Sequence, residues 1–365
     1  MNKINSNHGG LNVLITSPSL DTHDNVSGIS TLVRLVIRNS GNRFFHFTAG
    51  RKDNEDAGLY WMVRQLFLPI NFARDLFNQR IDIVHLNTAL EDFSILRDFS
   101  LAMTARFFGK PLLVHLHGGK YMHSAIPGVA LHWIIGELLS SANTVLVQSE
   151  TERRHLKESW PDTDATALPN AVNIEDTSAN NDKTSLLEIV FFGRIENSKG
   201  LDEIVSACRM LNDSGVRFQF KCYGSGARQE SFSRSMKKVL RDRFEYLGVV
   251  SGEKKSRALE RADVFLLPSH YEGLPLSMLE AMAAGCTVVV SDVGSISTVV
   301  EDGKNGFMVE PRNVTQIVEK IDFILSGKAD LEEIGGNARK TVESRYSIDN
   351  YVERLERVYD EIVHQ

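Results

Sequence analysis

Residues 262–292 read ADVFLLPSHYEGLPLSMLEAMAAGCTVVVSD, and the fold turns on how that stretch is parsed. ADVFLLP is a continuous apolar run that Pro268 closes, and CTVVVSD is a second such run. Unalternating apolar runs of this length belong to strands buried on both faces of a parallel sheet. Between them Pro275 suits the first turn of a helix, because its φ is already helical and a first-turn N–H has no intrahelical partner anyway. Strand, helix and strand in that order form one βαβ unit. Two carboxylates punctuate it. Glu272 lies on the loop after the first strand, and Glu280 lies about one and a half turns into the helix.

The same alternation extends outward in both directions. Upstream, strand-like runs begin at NVLITS (12–17) and recur at 44–47, 81–86, 111–116 and 144–149, with helix-length segments at 29–39, 58–79, 92–108, 128–139 and 150–159. NIEDTSANNDKTS (173–185) is polar and acidic and reads as a linker. The pattern then restarts with LEIVFF, RFQFKCY and FEYLG, and a last helix falls at about 348–363. The expected organisation is a flexible tail (1–10), a first Rossmann-like domain (11–172), the linker (173–185), a second Rossmann-like domain (186–346) and a C-terminal helix (347–365). Ligands of open parallel sheets sit outside the carboxyl ends of the strands, so two such domains would face each other across a cleft.

Bulk properties agree with this. The chain has 365 residues, 42% hydrophobic and 24% charged, enough for two cores. Its net charge is −6, with acids and bases balanced through Val172 and the acidic excess beyond, which speaks against a nucleic-acid protein. Cys208, Cys222 and Cys286 are too few and too far apart for a disulfide framework or a zinc site, and point to a reducing compartment. The polar start MNKINSNHGG has no apolar core of a secretion signal, and no apolar run approaches the ~20 residues of a membrane span. A cytoplasmic location is expected.

The chemistry should lie just past the strands. In FFGRIENSKG (191–200) a strand ends, Gly193 opens a turn, and Arg194 and Lys199 flank a helix start. A glycine turn, a helix N-terminus and two cations make a diphosphate site. In the opening stretch, the amides near Leu276 and Ser277 are the unpaired ones of a first turn. Glu280 and Glu272 stand on either side of them, and each carboxylate can accept two hydrogen bonds from vicinal hydroxyls. Sugar, phosphate and sugar in a row describe a nucleotide diphosphate sugar.

GRIENSKG followed by EGLPLSMLE, with ADVFLLPS, EAMAAGCTVVVSD and EDGKNGFMVEP around them, resembles the retaining GT-B glycosyltransferases of family 4, whose signature is two glutamates with seven residues between them. The second half matches strongly and the first half loosely. LPNAVN (168–173) is similar to the family's PNGVD stretch, with Ala171 for glycine and Asn173 for aspartate. The resemblance implies α/β GT-B architecture, with the C-terminal helix packing back on the first domain. It implies that Arg194 and Lys199 neutralise the donor diphosphate and the leaving group. Glu280 would bind the ribose hydroxyls, Glu272 the transferred sugar, and Val250 the nucleobase. KPLLVHLHGG puts His117 at the family's active-site histidine, with His115 in place of a common threonine. Gly28 takes a diphosphate-facing position, with Ser27 replacing the first of a glycine pair. Two departures stand out. Cys286 replaces a usual proline, and GSIST (294–298) replaces GGxPE, without its proline and acid.

Other signals carry less. YGSGAR (223–228) lacks the third glycine of a dinucleotide fingerprint. DTD (162–164) lies in a polar loop. His85, His115 and His117 line up on neighbouring strands, and the expectation is one site histidine with packed neighbours, and no metal. Residues 58–79 are aromatic-rich with Arg64 and Arg74 spaced along them; they read as a core-packing helix pair broken at Pro69, with a membrane-lying helix as the other reading. The function expected is retaining transfer of a hexose or N-acetylhexosamine to a saccharide or lipid-linked saccharide, in surface polysaccharide or lipopolysaccharide biosynthesis, with no cofactor. A UDP-sugar donor is favoured over a GDP-sugar, and peripheral contact with the inner membrane face accompanies a lipid-linked acceptor. A nucleotide-sugar 2-epimerase and a non-catalytic nucleotide-binding partner subunit are the alternatives.

Overall fold

A computed structural model describes residues 10–25, 27–51, 55, 58–122, 126–174 and 186–364. Of the expected tail, only Gly10 falls among them. The expected linker, apart from Asn173 and Ile174, lies outside the described residues. The chain divides into two units, residues 1–170 with 348–365, and residues 171–347.

The first unit is a six-stranded parallel sheet of β1 (Asn12–Ser17), β2 (Arg43–Thr48), β3 (Ile83–Thr88), β4 (Leu112–Leu116), β5 (Thr144–Val147) and β6 (Ala165–Ala167), in the order β2-β1-β3-β4-β5-β6. β6 was not expected. Three residues of ATA carry no periodicity, and the strand exists because Val145, Leu146 and Val147 offer it a partner edge. Helices α1 (Gly28–Asn39), α2 (Leu59–Asn78), α3 (Asp92–Phe107), α4 (Val129–Ser140) and α5 (Glu150–Ser159) connect the strands. α2 corrects the expectation of a helix pair. It is one helix that runs through Pro69. A proline inside a helix costs about 3 kcal/mol. Leu68, Phe72 and Leu76 are buried in the core below and beyond it, and keeping that face continuous offsets the cost.

The second unit has β7 (Glu188–Phe192), β8 (Gln219–Tyr223), β9 (Phe244–Gly248), β10 (Val264–Leu267), β11 (Thr287–Ser291) and β12 (Phe307–Val309), all parallel, in the order β12-β11-β10-β7-β8-β9. Its helices are α6 (Leu201–Asp213), α7 (Gln229–Leu240), α8 (Glu253–Arg261), α9 (Leu276–Ala283), α10 (Val314–Leu325) and α11 (Leu331–Arg345). The strand order reverses between β7 and β10, so the connections leave these two neighbours in opposite directions. The crevice at such a switch point is where doubly wound sheets take ligands. In the first unit the reversal lies between β1 and β3.

The last helix, α12 (Ile348–Val363), belongs to the first unit and packs on α1 and β4. Its apolar face, Tyr351, Leu355, Tyr359 and Ile362, is buried. Glu356 Oε1 anchors it, accepting hydrogen bonds from Ser40 Oγ at 2.6 Å and Gly41 N at 2.9 Å.

Candidate functional site

In the second unit the expected residues gather on the loops after β7 and β10, the two strands that flank the switch point. After β7, Gly193 and Arg194 lead into a short 3-10 turn, Asn197–Lys199, which ends at Gly200 in the left-handed region (φ 69°). A Cβ on Gly200 would sit 2.1 Å from the Pro268 carbonyl oxygen. Only glycine therefore lets the β7 loop lie against the β10 loop. His270 N seals the contact by donating to Ser198 O at 2.8 Å. The YGSGAR segment braces the same loop from its other side, with Ile195 N donating to Ser225 O at 2.8 Å and Arg228 N to Ile195 O at 3.0 Å.

That proximity joins Lys199 to Glu272. Lys199 Nζ lies 2.6 Å from Glu272 Oε1, and Ser269 Oγ donates to the same oxygen at 2.8 Å. The two side chains are 16% and 11% exposed, so water screens the pair little. The GSIST loop supports the carboxylate from behind. A Cβ on Gly294 (φ 59°) would lie 2.0 Å from the Glu272 carbonyl oxygen, and Ser295 N donates to Gly273 O at 3.0 Å. The loop thus holds the Glu272 backbone without the proline or acid that the resemblance led one to expect. Arg194 is not drawn into this pair. Its side chain is exposed, and its guanidinium lies 3.7 Å from Glu196 Oε1.

Pro275 stands one residue earlier than expected, as the cap of α9. Leu276 and Ser277 are the first two residues of the helix, and their amides have no intrahelical acceptor. Leu276 is buried and Ser277 half-buried. One and a half turns on, Glu280 forms an ion pair through Oε2 with Lys255 Nζ, on α8. Lys255 also stands over the Phe192 ring, 5.8 Å from its centroid. No local pattern pointed to this lysine, because 25 residues separate the pair. Val250 is half-buried on the loop between β9 and α8.

In the first unit Gly28 is exposed and begins α1, just past β1. Ser27 caps the helix, its Oγ accepting from Ser30 N at 3.3 Å, which gives the serine a local use in place of a glycine. His117 follows β4. Its Nε2 lies 2.7 Å from Asn87 Oδ1, and Gln148 Nε2 lies 3.2 Å from its Nδ1. Asn87 Nδ2 donates to Thr16 O at 2.9 Å, so Asn87 Oδ1 must accept. The network therefore assigns the proton of His117 to Nε2 and lets Nδ1 accept from Gln148, which also donates to Asn170 Oδ1 at 3.2 Å. Enclosure pushes the His117 pKa down to about 3, and the ring is neutral at physiological pH. Beneath it, His115 packs with its ring centroid 4.1 Å away, and His85 Nδ1 bonds Tyr359 OH at 2.6 Å. Burial holds His85 at about 3 and His115 well below its usual value. Asn87 and Gln148 escaped the sequence reading. Asn170 carried a signal, since it is the asparagine of LPNAVN.

Among the described residues, no three His, Cys, Asp or Glu side chains group as metal ligands. A concavity of about 690 Å³ between α10 and α11, lined in part by Phe307, Lys320 and Phe323, contains none of the candidate residues.

Comparison with known proteins covers both units. Residues 173–341 match the family described as Glycosyl transferases group 1, and residues 36–176 match Glycosyltransferase Family 4. The chain is 33% identical to an uncharacterized glycosyltransferase of Methanocaldococcus jannaschii over 173 residues, 47% of this chain and 44% of that protein. It is 30% identical to the capsular polysaccharide biosynthesis glycosyltransferase CapM of Staphylococcus aureus over 173 residues, 47% of this chain and 45% of that one. The chain thus spans under half the length of these relatives. Among solved structures, Anabaena HepE in complex with UDP-glucose superposes with a TM-score of 0.74 at 15% identity, over 96% of this chain and 100% of that chain. At that identity the likeness speaks for the GT-B fold alone.

Proposed function

We propose that the chain, whose residues 173–341 and 36–176 match Glycosyl transferases group 1 and Glycosyltransferase Family 4, is a glycosyltransferase. In this reading it moves a hexose or N-acetylhexosamine from a nucleotide diphosphate sugar to a hydroxyl of a saccharide or lipid-linked saccharide. The product retains the anomeric configuration and serves surface polysaccharide biosynthesis. The observation that carries this reading is the Lys199–Glu272 pair, held by Gly200 and Gly294 at the switch point of the second sheet. The likeness to CapM supports the polysaccharide setting, and a UDP-sugar remains the donor proposed over a GDP-sugar.

The residues divide the donor between them. Lys199, with Arg194 free to swing inward, meets the diphosphate and stabilises the charge that builds on its leaving oxygen. The first-turn amides of Leu276 and Ser277 add donors for the phosphate oxygens. Glu280 takes the ribose hydroxyls, and its ion pair with Lys255 aims it. Val250 flanks the base. Glu272 takes hydroxyls of the transferred sugar, and its bond to Lys199 ties the sugar's position to that of the leaving group. The C–O bond to the phosphate breaks, the bond to the acceptor oxygen forms on the same face, and the acceptor proton passes to the leaving phosphate oxygen. In the first unit His117 serves as a neutral hydrogen-bonding group for a ligand, and Gly28 leaves the start of α1 open to one. An epimerase would need His117 as an acid–base group, but both its ring nitrogens are engaged.

The test separates the two glutamates. Glu280→Ala should raise the donor KM by about one to two decades, the equivalent of one charged hydrogen-bond partner, and weaken UDP binding by calorimetry to match. Glu272→Ala should lower kcat and leave UDP affinity nearly unchanged. Equal loss of UDP affinity in both variants, or no transfer and no donor hydrolysis by the wild type across UDP-, GDP-, ADP- and dTDP-sugars, would overturn the assignment.

A further inference from the structure

Ten of the fifteen exposed large hydrophobic residues among the described ones lie on three consecutive helices, α2, α3 and α4. These connect β2 to β3, β3 to β4 and β4 to β5, and right-handed crossovers in that order place all three on one face of the first sheet. α2 packs beside α3, and α3 beside α4, where the rings of Phe99 and Trp133 meet edge to face at 6.3 Å. The layer is apolar on both sides. Inside, Leu68, Phe72 and Leu76 of α2 are buried. Outside, Leu66, Phe67, Ile70 and Phe77 follow one another at helical spacing, joined by Phe107 of α3 and Trp133 of α4; Phe77 is 80% exposed and Phe107 86%.

The charges on this layer select its partner. Arg74 is exposed within the α2 stripe, between Ile70 and Phe77, and Arg80 and Arg106 are exposed at helix ends. Of the described acids on the layer, Asp98 is buried against Arg97, Asp75 and Glu137 are half-buried, and Glu91 alone is exposed. Against a second copy of the chain, Arg74 would be buried in the middle of an apolar interface, at the desolvation cost of a buried ion. At a bilayer surface the same arginine extends to a phosphate while its stem stays with the apolar stripe. Aromatic side chains beside arginines also suit the headgroup boundary, where interfacial helices insert by roughly 5–10 Å. No described helix is long and apolar enough to cross a membrane.

We propose that the outer face of α2, α3 and α4 is a docking surface for an anionic phospholipid bilayer, on which the helices lie in the plane of the headgroups. Binding needs neither donor nor acceptor, so its outcome is independent of the transferase reading. The probe is flotation of the full chain with vesicles of phosphatidylethanolamine and phosphatidylglycerol, against vesicles of phosphatidylcholine alone. The wild type should float with the anionic vesicles and be released by rising salt. Leu66→Ser with Phe67→Ser should cut the partition by at least about tenfold, since each side chain loses its transfer into lipid. Arg74→Gln should cut it about fivefold, and only on anionic vesicles. Both sites are exposed, and an unchanged thermal melt confirms that the variants fold. In a Trp61→Phe background, which removes the tryptophan of α2, brominated lipid should quench tryptophan fluorescence, and most of that quenching should vanish when Trp133→Phe is added. Failure of the wild type to bind, equal binding by all variants, or a concentration-dependent dimer that Leu66→Ser with Phe67→Ser abolishes while vesicles remain unbound would each overturn the proposal.

Discussion

At the carboxyl ends of its strands the first unit gathers neutral side chains, whereas the second gathers ions. His117, Asn87, Gln148 and Asn170 form a chain of uncharged donors and acceptors, with His115 and His85 beneath. Lys199 and Glu272, and Lys255 and Glu280, form two ion pairs on elements next to a single switch point. The backbones are the same kind of parallel sheet, so the difference lies in what each surface must meet. A neutral, fully engaged network keeps one orientation and attracts no charge. Paired ions are held ready, and each partner can exchange its contact for one to an ionic ligand.

The sharpest break would come from the ionic side. Lys199→Ala removes the cation nearest the expected leaving group and leaves Glu272 partly buried without its partner. A fall in kcat on the order of 10²–10³ is expected, by analogy with the loss of one preorganised electrostatic donor. His117→Asn should not remove an ionisation from the kcat–pH profile, because that ring is already neutral. A limb near pH 6.5 that disappears in His117→Asn would show that the neutral side does proton chemistry after all.

Acid should separate the units next. His85, His115 and His117 have folded pKa values far below the roughly 6.5 of an unfolded histidine, so their contribution to stability is complete above that value and is lost as pH falls below it. Glu152 works the other way. Burial raises it to about 7, and it favours the folded state as pH falls toward the usual carboxylate range. Net, these four groups take up about two more protons in the unfolded chain than in the folded one between pH 6.5 and 4.5, a loss on the order of 3 kcal/mol per pH unit at the steepest; His46, which burial also lowers, adds to it and Asp75, which burial raises, opposes it. Hydrogen exchange at pH 7 and pH 5 should show β3, β4 and α12 losing protection before β7 and β10. Simultaneous loss would mean that the two units unfold as one.

The smallest effects sharpen the contrast between buried and exposed polar contacts. Tyr359→Phe strips His85 of its 2.6 Å partner inside the first unit and should cost about 1–3 kcal/mol in urea unfolding. Arg257→Ala, which breaks an exposed pair with Glu253 on α8, should cost no more than about 0.5 kcal/mol.

Local patterns were legible where one residue and its near neighbours suffice. NVLITS, residues 150–159 and residues 348–363 form the elements that their periodicity indicates. Glu272 and Glu280 were legible as candidates because their spacing across a strand–helix junction is itself local. β6 was not legible, since three residues of ATA become a strand only beside β5. α2 misled for a related reason. A helix with large apolar residues on two sides gives no sign of which one faces inward, and its continuity through Pro69 depends on a core that the sequence does not display.

By itself the sequence determined alternation, and with it two doubly wound sheets, since strand and helix periods are written in consecutive residues. It also determined which loops carry carboxylates and cations. Only the tertiary structure decided that Lys199 pairs with Glu272 and Lys255 with Glu280. It also decided that His85 and His115 pack neutral against Tyr359 and Tyr351 of α12, with His117 on top of them, and that half of an apolar helix layer faces outward. Each of these is a contact, or the lack of one, between segments far apart in the chain. Such contacts follow from strand order and close packing, which no local pattern encodes.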